Sequence, residues 1–164
     1  MLFDQFIDSF QGRSAQITID IDTFDDPTHG QLQLTFFHGY YKQFQYQPII
    51  ATFGETEHQV MLVGLRHGTC AASLGADDDL KYMVTRLREV WPDVQIHVRG
   101  DCGFGLLLIY ETCEKLGVWY TFGLAMNDRL KAMSDEWLAR AQLQFKATGE
   151  KARLIMSMDY KAEK

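Results

Sequence analysis

Apolar residues at Leu2, Phe3, Phe6, Ile7 and Phe10 recur at spacings of three and four, which predicts a short amphipathic helix. The period then drops to two. From Ile17 to Thr23, Ile17, Ile19 and Ile21 alternate with Thr18, Asp20 and Asp22, the pattern of a strand with one apolar and one acidic face. The following DDPTHG reads as a turn. From Leu32 to Leu65 short apolar runs, punctuated by Gly39 and Gly54, predict three short strands in an antiparallel meander.

Helical spacing returns at Leu80, Met83, Val84, Leu87 and Val90, so a helix is expected over residues 76–91. Asp77, Asp78 and Asp79 lie in its first turn and Pro92 stops it. Val94 to Val98 reads as a strand leading into RGDCGFG. A helix over Leu106 to Leu116 ends at Gly117, and Val118 to Leu124 is a further strand. A long helix is expected from Asp128 to Ala147, and a last strand from Arg153 to Tyr160. Antiparallel strands followed by helix–strand alternation imply an α/β fold: a mixed sheet with an antiparallel meander, then parallel βαβ strands, and flanking helices.

Composition narrows the function classes. The chain has 164 residues, 46% of them hydrophobic, enough for one domain with a real core. No apolar run approaches the length of a membrane span, and the acidic N-terminus lacks the basic region of a secretory signal. Cys70, Cys102 and Cys113 are odd in number and show no C-x-x-C spacing, which points to reduced thiols and a cytoplasmic protein. The net charge of -6 is unlike the basic footprint of a dedicated nucleic-acid module.

Within that acidic balance, two loci stand out by position. Asp20 and Asp22 share the polar face of the first strand, and Asp101 directly follows the strand ending near Val98. If those strands are neighbours, Asp22 and Asp101 meet at the carboxyl edge of the sheet, where α/β proteins gather ligands. Facing carboxylates repel unless compensated, and Mg²⁺ is commonly held by one or two of them. A bland reading competes: an Asp after a strand is often a turn former or helix cap, and Asp25-Asp26-Pro27 is ordinary turn chemistry. The turn Gly100–Gly105 offers a phosphate cradle, though its G-x-x-G-x-G spacing is not the dinucleotide fingerprint. Cys102 near a helix start invites a nucleophile reading with His29 or His97 as base, without supporting spacing. His38, His58 and His67 show no ligand spacing and read as surface or hydrogen-bonded residues.

Taken together, DIDTFDDPTHG, FFHGYY, WPDVQIHVRGDCGF and ATGEK resemble the DDE-type transposases of bacterial insertion sequences, in the group whose first-aspartate motif ends D-D-P-x-H-G. The resemblance runs in order over nearly the whole chain. It implies a ribonuclease H-like fold with catalytic carboxylates on the first strand, after the fourth strand and on a late helix. It also implies two Mg²⁺ or Mn²⁺ ions, and cleavage and transfer of DNA strands at transposon ends and target, in a homo-oligomer. By position, Asp22 matches the first catalytic aspartate and Asp101 the second, with Asp20 as an alternative metal ligand on the same face.

The sequence departs from that pattern at Phe24 and Cys102, where the family usually has Thr and Ser, and at His67-Gly68-Thr69, where Pro-Gly-Asn is common. The third carboxylate is expected beyond an inserted region after ATGEK, and neither Glu150 nor Glu163 sits in a matching motif. Residues 1–164 therefore read as part of a catalytic domain, lacking the N-terminal region, the insertion and the third-acid helix, and inactive alone. An inactive remnant, or a nucleotide-binding module using the Gly100–Gly105 turn, is the alternative. Lys81, Arg86, Arg88 and Arg99 form a modest basic cluster expected near Asp101, read as a solvated helix face rather than a DNA contact.

Overall fold

The computed structural model describes residues 2–10, 12, 15–30, 32–55 and 59–161. The chain forms two compact units, one to Leu124 and one from Ala125. In the first, α1 (Leu2–Asp8) precedes β1 (Gln16–Thr23), with Phe3, Phe6 and Ile7 buried as the spacing predicts. Two further strands, β5 (Ile49–Phe53) and β6 (Val60–Gly64), continue from β1 on one side as antiparallel neighbours. On the other side β7 (Gln95–Gly100) and β8 (Trp119–Phe122) run parallel to β1. The order β6-β5-β1-β7-β8 is a mixed sheet with flanking antiparallel and parallel strands, as the sequence leads one to expect.

The two helices that feed the parallel strands are α2 (Ala76–Val90) and α3 (Leu107–Leu116). Gly117 closes α3 at φ 60°, a left-handed conformation that costs glycine nothing, and its N–H reaches back to the carbonyls of Cys113 and Glu114. Leu80, Met83, Val84 and Leu87 of α2 and Ile109 and Cys113 of α3 share one core with Ile17, Ile19, Ile21, Ile96 and Val98. Burial of this apolar set stabilises the unit, at roughly 25 cal/mol per Å² removed from water.

Two expectations change. The region from Leu32 to Leu65 holds four strands rather than three, and only β5 and β6 join the main sheet. The others, β3 (Phe36–His38) and β4 (Gln43–Tyr46), form a second antiparallel sheet with β2 (Asp26–Pro27), so part of the DDPTHG turn is itself a short strand. Pro48 separates β4 from β5; having no N–H, it cannot extend the ladder and marks the passage between sheets. Pro27 is tolerated because β2 is an edge strand.

In the second unit α4 (Asp128–Thr148) is capped by Asn127, whose Oδ1 accepts from the Leu130 amide at 2.9 Å. The strand expected over Arg153 to Tyr160 does not form: no described residue of that segment pairs in a ladder. Side-chain hydrogen bonds tie its end to α4 instead, from Asn127 Nδ2 to the Tyr160 hydroxyl and from Arg129 to the Lys161 carbonyl, both at 2.8 Å.

Candidate active site

β1 and β7 lie side by side in parallel, with Asp20 opposite Arg99 and Ile21 opposite Gly100. Asp22 follows one step along β1, and Asp101 is the first residue past the end of β7, a strand that lies about 4.8 Å from β1. Alternation puts Asp20 and Asp22 on one face, with Arg99 across from Asp20 on that face. These side chains line one open cleft together with Ile21 and Gly100.

The three aspartates differ in what already holds them. Asp22 Oδ1 accepts the Thr23 amide at 2.7 Å, and Asp101 Oδ1 accepts the Gly103 amide at 2.8 Å. Each local bond orients its carboxylate, and the second oxygen of each has no protein partner among the described residues. Asp20 is fully engaged: Arg99 donates from Nε to Oδ1 and from Nη2 to Oδ2, both at 2.6 Å. That fork also raises the Arg99 pKa. Asp20, the alternative ligand of the sequence reading, thus spends both oxygens on a cation, while Asp22 and Asp101 keep one each.

The loop into α2 supports the Asp101 turn from below. Arg66 donates to the carbonyls of Gln47, Ala72 and Leu74 at 3.0, 2.8 and 2.9 Å, stapling residues 66–74 to the end of β4. Burial lowers the Arg66 pKa, partly offset by Cys70 and Asp79, and burial raises that of Asp79. Ala72, held by this staple, packs so tightly on Gly103 that a Cβ there would come within 2.8 Å of the Ala72 methyl and 3.0 Å of Asp101 Oδ1. At Gly105 a Cβ would lie 2.6 Å from the Gly123 carbonyl oxygen. These glycines permit close packing, and the Gly103 amide that a phosphate would need is taken by Asp101.

Cys102 is exposed, but no hydrogen bond joins it to His29 or His97, and His97 Nε2 instead meets Thr121 Oγ1 at 2.9 Å. His38 packs on Tyr41 and His67 on Phe36, while His58 lies outside the described residues. Lys81 pairs with Asp77 and Asp78, Arg86 with Asp4 and Glu89, and Arg88 donates to the carbonyls of Leu116 and Gly117. Of that basic cluster only Arg99 lines the cleft. Glu150 belongs to the second unit and Glu163 lies outside the described residues. Among the described residues no group of three or more His, Cys, Asp or Glu could hold a metal ion.

Sequence reasoning missed the Asp20–Arg99 fork, having grouped Arg99 with the helix cations. The signal was present: Arg99 precedes Asp101 by two residues, as Asp20 precedes Asp22, so pairing of the strands aligns both couples.

Comparison with known proteins adds the family. The model of the family described as transposase DDE domain group 1 matches residues 1–164, and the chain belongs to that family. No curated protein matches it. Among solved structures it is similar to a chain of the simian T-cell lymphotropic virus intasome in complex with the PP2A regulatory subunit B56 gamma (11% identity, 85% of this chain and 45% of that one, TM-score 0.43). It is likewise similar to the piggyBac transposase in its synaptic complex with hairpin DNA (13%, 72% and 24%, 0.46) and to the catalytic domain of Mos1 mariner transposase (13%, 90% and 66%, 0.42). The chain spans less than half the length of the first two. Among the described residues no helix is long and apolar enough to cross a membrane.

Proposed function

We propose that this member of the transposase DDE family is part of the catalytic domain of a DNA transposase, with Asp22 and Asp101 as two of its metal-holding catalytic carboxylates. One observation supports the reading most: Asp22 on β1 and Asp101 just past β7 line one cleft, each with one oxygen bonded to a backbone amide and the other without a protein partner among the described residues. Two hard oxygen donors on adjacent strands suit a divalent cation such as Mg²⁺ or Mn²⁺. When bound, such ions offset the mutual repulsion of the carboxylates and stabilise charge on a scissile phosphate.

Asp22 and Asp101 then hold the cation site in place, and the Thr23 and Gly103 amides keep their carboxylates from rotating. The reaction is hydrolysis of a phosphodiester at the transposon end, followed by attack of the freed 3′-hydroxyl on target DNA. A third acid and the surfaces that bind transposon ends are supplied by further parts of a cytoplasmic homo-oligomer.

Thermal melting with Mn²⁺ tests the site. At a hundredfold excess over Kd, binding to the folded state adds about 2.7 kcal/mol, a rise of several degrees in Tm for a chain of this size. Asp22→Asn and Asp101→Asn should each abolish that rise. An Mn²⁺ response that survives both substitutions, or no response in the parent chain, would remove the metal role and leave an inactive remnant.

A further inference from the structure

We propose that Arg99 forms a subsite for a phosphodiester oxygen beside the two aspartates, with Asp20 as the residue that positions it; this rests on the transposase reading above. The guanidinium uses its Nε edge for Asp20, at 2.6 Å from both Nε and Nη2. Because the fork is planar and rigid, the two N–H groups of Nη1 point away from that edge. Nη1 has no protein partner among the described residues.

The far side of the ion pair is closed by the chain itself. A Cβ on residue 54 would fall 2.6 Å from Asp20 Oδ2 and 2.7 Å from Arg99 Nη2, so only glycine at this position leaves the fork undisturbed. The Gly54 amide is in turn fixed by the Thr18 carbonyl at 3.0 Å. Among the described residues, Arg99 is the one cation lining the cleft with Asp22 and Asp101.

A partly exposed ion pair adds little to stability, so structure alone gives weak reason for an arginine fork at this spot. Asp20 cancels much of Arg99's long-range attraction but fixes its direction, so the donor is ordered before any ligand arrives. A phosphate oxygen is the acceptor that such a donor suits best. The same chemistry admits free phosphate, which the test separates from a phosphodiester.

The test is NMR on the 164-residue chain in Mg²⁺, following Arg99 side-chain N–H signals during titration with a dinucleoside monophosphate and, separately, with inorganic phosphate. The Thr23 and Gly103 amides, bonded to Asp22 and Asp101, report metal binding in the same samples. The expected result is a saturable Arg99 shift with the dinucleotide, and a dinucleotide affinity, read in both chains from the ligand's own ³¹P signal, that is weakened about tenfold or more in Arg99→Lys, which keeps the charge and loses the fork. A purely structural Arg99 would leave dinucleotide affinity unchanged in that variant, which would overturn the subsite. A response to inorganic phosphate alone would overturn it too. If Thr23 and Gly103 respond to Mg²⁺ while Arg99 ignores the dinucleotide, the subsite fails and the metal site stands. If Arg99 responds and the two amides do not, the subsite stands and the metal role of the aspartates fails.

Discussion

Asp20 and Asp22 are two residues apart on one strand face, yet their neighbours give them different work. Asp20 sits across from Arg99 in register and closes a two-bond fork; Asp22 shares a cleft with another aspartate, Asp101. Replacing Asp20 by Asn should therefore cost stability, about 1 kcal/mol for a partly exposed pair. Asp22→Asn in metal-free buffer should be neutral or stabilising, because it relieves repulsion from Asp101. Urea denaturation of both variants checks the contrast, and equal losses would contradict it. The cysteines separate as clearly. Cys102 is exposed, whereas Cys113 is fully buried, and burial pushes its thiol pKa up to about 11. The unfolded thiol ionises first, so stability owed to Cys113 is intact below pH 9 and declines as pH rises towards 11. Cys113→Ala should flatten that alkaline loss, read by denaturation at pH 8 and pH 10.5. Iodoacetamide should modify Cys102 alone of these two in the folded chain.

The elements around the site are fixed by backbone contacts more than by propensity. Gly103 lies under Asp101, pressed on Ala72, which the Arg66 staple holds. Gly103→Ala should push on both neighbours, lowering Tm modestly and weakening the Mn²⁺ response more than its stability loss explains. Gly68→Ala serves as comparison: its Cβ would run into the Gln45 carbonyl oxygen, a backbone group that cannot swing aside. That change should cost on the order of 2 kcal/mol or more, without altering Mn²⁺ affinity in the folded fraction. At the second unit's start, Asn127→Ala removes the cap on Leu130 and should cost α4 about 1 kcal/mol, visible as lost helical ellipticity on heating.

Across the whole molecule, what periodicity could express was legible. The three isoleucines of β1, the Leu80–Leu87 stripe of α2 and the glycines ending α3 and α4 each carried local instructions that the structure obeys. The second sheet was hidden because its strands are two to four residues long, too short for a period to register, and Asp26-Pro27 carries turn chemistry. Residues 153–160 read as a strand, but a ladder needs a partner and the segment has none among the described residues. The placement of Asp20 and Asp22 on one face of β1, and of Asp101 just past β7, was legible from the alternation; the Arg99 fork was not, since it depends on which strands become neighbours. Everything proposed for function turns on Asp22 and Asp101 holding a cation together. The most direct measurement is an anomalous difference map from crystals soaked in Mn²⁺, with Asp101→Asn crystals as control. The expected result is a peak within coordination distance of the free oxygens of Asp22 and Asp101 that is lost in the variant. An empty cleft with both carboxylates ordered, or a peak that persists in Asp101→Asn, would contradict it.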